Sequence, residues 1–213
     1  MNNIKLSGIY PITPNYIQSD DEYLEKCFNA ISSGINIFQF RSPYFSSRKK
    51  RYLLNEIHKY CLDVNVQLII NNDYDLARLY EGSGVHIGKM DLPIKSIRNV
   101  IGTEKIIGYS CGAQILDLNH LKENGISYYS IGAFANSITK TNTEKLGSKT
   151  IREYSTYNDL PMCIIGGINI NNIDTVIDYQ PEMIAMCDSI FRQEASKIKL
   201  TIMKFKDAIN AKS

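Results

Sequence analysis

The feature that most constrains this chain is residues 66–93, VQLIINNDYDLARLYEGSGVHIGKMDLP, where two short apolar runs bracket one helical stretch. Val66 to Ile70 is apolar almost throughout and breaks at Asn71, Asn72 and Asp73. Leu76, Ala77 and Tyr80 follow on one face of a helix, which Gly82 and Gly84 end. Val85 to Ile87 is a second apolar run, stopped by Gly88, with Asp91 close behind. Short apolar runs of this kind suit strands of a parallel sheet buried on both faces. Strand, helix, strand with polar residues at each strand's carboxyl end is the pattern of parallel α/β folds, which keep their chemistry there.

The same unit recurs along the chain. Apolar runs predict strands at 8–13, 35–40, 66–70, 85–87, 105–109, 126–131, 161–165 and 183–187. Helical spacing separates them: Leu24, Cys27, Phe28 and Ile31; Leu54, Ile57, His58 and Cys61; Ile94, Ile97 and Ile101; Ile115, Leu118 and Leu121; a helix near 149–154; Ile173, Val176 and Ile177; and last Ile198, Ile202, Phe205 and Ile209. Ser19 with Glu22 reads as a capping box, Ser46 or Ser47 as a second cap, and Asn169 or Asn171 as a third. Eight alternations in 213 residues favour a closed (β/α)8 TIM barrel over an open doubly wound sheet, and one domain over residues 1–213. Such barrels run to about 200–250 residues as single units.

Bulk properties exclude several classes. A net charge of +2 gives no field for nucleic acid or an anionic membrane. No apolar run approaches the roughly 18 residues that span a bilayer, and MNNIKLSGIY lacks the apolar segment of a signal peptide. Cys27, Cys61, Cys111, Cys163 and Cys187 are odd in number and free of C-x-x-C spacing, which reads as reduced thiols in the cytoplasm. The run Arg48-Lys49-Lys50-Arg51 reads as a solvated helix start. His58, His86 and His120 fall on different elements and form no metal spacing.

In a barrel the loops after the strands share one rim. Gln39 and Arg41 follow strand two, Asn71 and Asn72 strand three, Asp91 strand four and Ser110 strand five. Asn136, Ser137, Thr139 and Lys140 lie in the loop after strand six, Gly166 and Gly167 follow strand seven, and Asp188 and Ser189 follow strand eight. A planar cation, a lysine, hydroxyls, amides and a carboxylate suit a phosphorylated ligand. So does a Gly-Gly turn ahead of a helix.

Residues 66–93 also resemble the middle of thiamine phosphate synthases, where one strand ends in Asn-Asp and the next is followed by H-L-G-Q-x-D-L-P. The first pair is Asn71-Asn72 here, and the second motif is His86-Ile87-Gly88-Lys89-Met90-Asp91-Leu92-Pro93. The resemblance runs over residues 8–191 and is most specific at 68–77, 86–93, 106–110, 132–140 and 165–168. It implies an enzyme that joins hydroxymethylpyrimidine diphosphate to thiazole phosphate and releases diphosphate. It further implies that Gln39, Arg41, Asn71, Ser110 and Lys140 hold the diphosphate, with Arg41, Lys140 and Ser110 as the catalytic set. Magnesium would lie at Asn72 and Asp91, and the thiazole phosphate at Ser137-Ile138-Thr139, Gly166 or Gly167, and Cys187-Asp188. The expected partners are small phosphorylated substrates, with a homodimer kept open and neither nucleic acid nor membrane expected.

Three positions depart from the family's pattern. The lysine of Q-L-R-x-K is Pro43, the first magnesium aspartate is Asn72, and a phosphate-binding serine is Asp188. Asp73 and Ser189 stand one residue away as candidate compensations. These departures keep a catalytically degenerate binder of phosphorylated pyrimidines or thiazoles as the alternative. Thiazole tautomerase is another, disfavoured because its histidine after strand five corresponds to Gly112.

Overall fold

The structure is a computed structural model and describes residues 5–114, 117–135, 146–157 and 159–212. In chain order it runs β1 (Gly8–Pro11), α1 (Asp20–Ile31), β2 (Ile37–Phe40), α2 (Ser47–Asp63), β3 (Gln67–Asn71), α3 (Tyr74–Leu79), β4 (Gly84–Gly88), α4 (Ile94–Ile101) and β5 (Ile107–Gly112). It continues with α5 (Leu118–Glu123), β6 (Tyr128–Ile131), α6 (Ser148–Ser155), β7 (Met162–Ile165), α7 (Ile173–Ile177), β8 (Met183–Met186), α8 (Asp188–Phe191) and α9 (Ile198–Asn210). The eight strands form one parallel sheet, ordered β1-β8-β7-β6-β5-β4-β3-β2. The two end strands meet at a parallel bridge between Ile12 and Gln39, so the sheet closes into the expected barrel.

Side chains alternate across each strand and create two cores. Outward-facing residues such as Phe38, Phe40, Leu68, Ile70, Val85, Ile87, Tyr129 and Ile164 join the helices in the larger one. Tyr10, Ile12, Ile37, Ile69, Tyr128, Cys163, Met183 and Ala185 fill the barrel itself. This division explains why both faces of a strand read as apolar. The helices start where short polar side chains can satisfy free backbone N–H groups. Ser19 accepts from the Glu22 amide at 3.3 Å, Ser46 from the Lys49 amide at 3.3 Å, Asp73 from the Leu76 amide at 3.2 Å and Asp117 from the His120 amide at 3.1 Å.

Several local expectations shift. At the start of α1, the Glu22 carboxylate pairs with Lys26 at 2.9 Å. Asn172, rather than Asn169 or Asn171, occupies the cap position of α7. It makes no side-chain cap bond there, because its amide bridges the Asn169 N–H and the Gly167 carbonyl instead. Strand five starts two residues later and ends three residues later than expected, so Ser110 sits inside β5 rather than after it, beside a register shift between Ser110 and Gly112. The basic run opening α2 is partly paired: Lys49 meets Asp20 at 2.5 Å and Lys50 meets Asp73 at 3.3 Å. Beyond β8, a short α8 and a 3-10 turn at Ala195–Lys197 precede the terminal helix.

Gly108 is required for the barrel's filling. A Cβ there would lie 2.1 Å from Cζ of the buried Tyr128 ring, which crosses β5 at that point. Gly108→Ala should therefore cost at least about 3 kcal/mol, the upper part of the usual range for overpacking. A urea titration reads this as a lowered midpoint at unchanged slope. An unchanged midpoint would mean that the Tyr128 ring has another place to go.

Candidate active site

The polar rim begins with the exit of β2. Thr13, fully buried, accepts from the Arg41 N–H at 2.7 Å and donates to the Arg41 carbonyl at 3.1 Å. The Thr13 N–H bonds the Gln39 carbonyl at 3.0 Å, and the Ile12 N–H bonds the Met186 carbonyl at 2.8 Å. One hydroxyl thus fixes the backbone of Arg41 at the seam where the barrel closes. Gln39 is 2% exposed and points inward, its Nε2 donating to Tyr10 Oη at 2.7 Å.

On the other side of β3 the rim is built by strand ends that hold one another. Asn71 is the last residue of β3 and pairs in register with His86. Asn72 turns left-handed, with φ +56°, and donates its N–H to the His86 carbonyl at 2.9 Å. Asparagine tolerates that conformation better than most residues. The Asp91 carboxylate accepts from the Gly88 N–H at 2.7 Å, closing a tight loop after β4. A Cβ on Gly88 would lie 3.6 Å from Ser110 Cβ and 4.0 Å from Asp91 Oδ2. Ser110 and Asp91 therefore converge over a glycine that leaves the space between them open.

The β7 and β8 exits form the third part. Gly166 and Gly167 take φ +107° and +65°. A Cβ on Gly166 would stand 2.8 Å from Ala133, so the chain leaving β6 crosses it directly. The Ala135 N–H bonds the Gly166 carbonyl at 2.9 Å. Ser137, Ile138, Thr139 and Lys140 lie outside the described residues, as does Asn136; the described chain ends at Ala135, beside Gly166. Cys187 occupies the position before α8 without a side-chain cap bond, and Asp188 opens the helix with Arg192 Nε at 3.7 Å. Arg192 also lies over the Tyr16 ring, 4.9 Å from its centroid.

Two candidate compensations are committed elsewhere. Asp73 caps α3 and pairs with Lys50, which turns its charge toward helix α2. The Ser189 hydroxyl donates to the Ile168 carbonyl. The charge balance instead comes from Arg192, a residue that sequence reasoning passed over. Its spacing of four from Asp188 on a helix was the available signal. Thr13, Tyr10, Tyr128 and the role of His86 were also missed, since nothing in an apolar run marks which aromatic turns inward.

By fold and site this is a barrel enzyme with its polar groups on the carboxyl rim, where parallel barrels carry their chemistry. The sequence profile described as thiamine monophosphate synthase matches residues 9–190, and the chain belongs to that family. It is 31% identical to the thiamine-phosphate synthase of Nitrosomonas eutropha over 191 residues, 90% of each chain. It is 32% identical to that of Nitrosospira multiformis, over 91% of this chain and 84% of the other. The solved thiamine phosphate pyrophosphorylase from Pyrococcus furiosus superposes with a TM-score of 0.84 at 18% identity, covering 99% of this chain and 98% of that one.

Cys187 reports on the charges here. Burial pushes its thiol up to about 12 and Asp188 adds to the rise, while Arg41 and Arg192 act the other way. Because the thiolate is the reactive form, Cys187 should alkylate far more slowly at pH 8 than an ordinary thiol. Asp188→Asn removes the second cause of the rise and should speed modification of Cys187, as followed by mass spectrometry. A rate no faster in the variant would mean that Asp188 faces away from the sulfur.

Proposed function

We propose that the protein acts as a thiamine phosphate synthase, joining hydroxymethylpyrimidine diphosphate to thiazole phosphate and releasing diphosphate. The observation that carries this reading is the family match across residues 9–190, which spans every strand exit of the barrel. In this reading Arg41, Lys140, Ser110, Asn71 and Gln39 bind the pyrimidine diphosphate. Gly166, Gly167, Cys187 and Asp188, with Ser137-Ile138-Thr139, receive the thiazole phosphate. A cytoplasmic location goes with it; no described helix is long and apolar enough to cross a membrane.

The residues suit a reaction driven by departure of the diphosphate. The C–O bond to diphosphate breaks, the pyrimidine's methylene carbon becomes a benzyl-like cation, and the thiazole nitrogen attacks it. No protein base must remove a proton for that bond to form. What the site must do is hold negative charge as it moves onto the leaving group. Arg41 suits this, because its backbone is clamped by Thr13 and its guanidinium is planar and always charged. Gly112 supports the synthase over the tautomerase, since the position carries no side chain that could act as a base.

Magnesium fits the residues present. Asp91 and Asn72 offer hard oxygen donors on adjacent strand exits, joined through the backbone of β4. Asn72 and Asp91 would hold it. When bound it supplies positive charge that offsets the charge on the departing diphosphate. One carboxylate and one amide would make a weak protein site, so the affinity would depend on bound substrate. Magnesium should then bind the free protein poorly and the diphosphate complex well by calorimetry. Tight binding without ligand that survives Asp91→Ala would overturn this assignment.

With Pro43 where the family has a lysine, Arg41 carries more of the leaving-group charge. Arg41→Ala and Lys140→Ala should each slow diphosphate release in single turnover by about ten- to a thousandfold, the scale of one transition-state contact, and Arg41→Ala by more. A wild type that binds diphosphate through Arg41 yet never releases it from the substrate would establish the degenerate binder instead. Release indifferent to both substitutions would place the site elsewhere.

A further inference from the structure

A line of hydrogen bonds crosses the inside of the barrel below the rim. Gln39 Nε2 on β2 donates to Tyr10 Oη on β1 at 2.7 Å. Tyr10 Oη lies 2.8 Å from Tyr128 Oη on β6, and Tyr128 Oη lies 3.0 Å from His86 Nδ1 on β4. His86 Nε2 lies 3.4 Å from Ser130 Oγ, again on β6. The His86 ring also stacks on Tyr128, with centroids 5.6 Å apart and planes 26° from parallel. Tyr10 and Tyr128 are buried, and Gly108 is bare so that the Tyr128 ring can cross. None of these side chains other than Gln39 has a part in the reaction as described above.

The line has a direction. An amide nitrogen has no lone pair to offer, so Gln39 must donate to Tyr10. The Tyr10 proton then goes to Tyr128, and the Tyr128 proton to His86 Nδ1, which must accept. A neutral imidazole that accepts at Nδ1 carries its hydrogen on Nε2, where Ser130 Oγ can receive it. In this order each tyrosine hydroxyl accepts once and donates once. In the reverse order Tyr10 Oη would receive two donors while its own hydrogen lost its place in a buried setting, an arrangement that proteins avoid.

We infer that Tyr10, Tyr128 and His86 are positioning residues that hold the Gln39 amide with Nε2 turned into the barrel, so that its carbonyl oxygen is left to accept a hydrogen bond from the amino group of the substrate's pyrimidine, since the diphosphate itself has no hydrogen to donate. The substrate part of this rests on the contact of Gln39 with the pyrimidine diphosphate proposed above. The direction of the line does not. His86 sets the far end: its Nε2–H form and the Gln39 orientation specify each other across three hydrogen bonds.

Two measurements test this. In the His58→Gln, His120→Gln variant His86 is the single histidine, and 15N spectra at pH 8 give its tautomer without any substrate. The expected form is Nε2–H, and Nδ1–H overturns the direction. Gln39→Glu, added to that variant and followed by a 13C label until the new carboxylate is ionised, leaves an acceptor where the donor stood. The line should then reverse and His86 should become Nδ1–H; an unchanged tautomer overturns the coupling. In the second measurement, Tyr128→Phe and Tyr10→Phe should each raise KM for the pyrimidine diphosphate about tenfold, the scale of one hydrogen bond. KM for the thiazole phosphate and kcat should stay within about twofold, as for lost ground-state binding. A fall in kcat alone, an equal rise for both substrates, or an unchanged KM beside a confirmed tautomer overturns the positioning role. Tyr10→Phe keeps this readable should Tyr128→Phe fail to fold.

Discussion

Closure of the parallel ladder at Ile12 and Gln39 is the constraint on which the rest depends. The ladder itself runs from β2 round to β1, and without that last contact its two ends would be sheet edges. Closing it removes unpaired backbone groups and brings loop one beside loop two. Thr13 works at that seam, using one hydroxyl to hold both the N–H and the carbonyl of Arg41. The backbone of Arg41, the cation on which the proposed chemistry leans, is therefore placed by the closure of the fold rather than by its own neighbours in sequence.

The barrel interior is divided in a way that suits two unlike substrates. Gln39, His86 and Ser130 face inward on β2, β4 and β6, and alternation places Asn71 and Ser110 likewise on β3 and β5. Ile12, Ile165 and Ala185 take the matching places at β1, β7 and β8. Polar groups inside a barrel are costly unless they bond one another. The line from Gln39 to Ser130 meets that requirement, and beyond its first link it joins β1 to β6 and β6 to β4, strands that are not neighbours in the sheet. A line of this sort resists piecemeal change, since replacing one member orphans the next.

The departures from the family's pattern divide in the same manner. Asn72 keeps an oxygen donor while giving up a charge, and Pro43 gives up a cation two residues beyond Arg41. One negative and one positive charge are lost from the same side of the rim, which leaves its net charge unchanged. Asp188 adds a negative charge by β8, and Arg192 stands one helical turn away to offset it. Asp73, which looked placed to restore the missing carboxylate, is spent on a helix cap and on Lys50.

Much of this was legible in the sequence. The eight alternations, the strand exits and the placement of the described residues Gln39, Arg41, Asn71, Asn72, Asp91, Gly166, Gly167 and Asp188 near those exits follow from apolar runs, helical spacing and turn residues, because backbone periodicity is a local property. The resemblance at His86 to Pro93 added the chemistry. Local signals failed where the answer depended on distance in space. They pointed to Asn169 or Asn171 for a cap where the structure uses Asn172, and did not foresee that Ser110 would lie within β5. They could not separate the Tyr of β1 and β6 that fill the barrel from the Tyr of β6 that faces the helices, for alternation says only that neighbours differ. Which face turns inward, which hydroxyl meets which imidazole, and that Thr13 holds Arg41 were decided by closure alone, since those contacts join residues that only the closed ring makes neighbours.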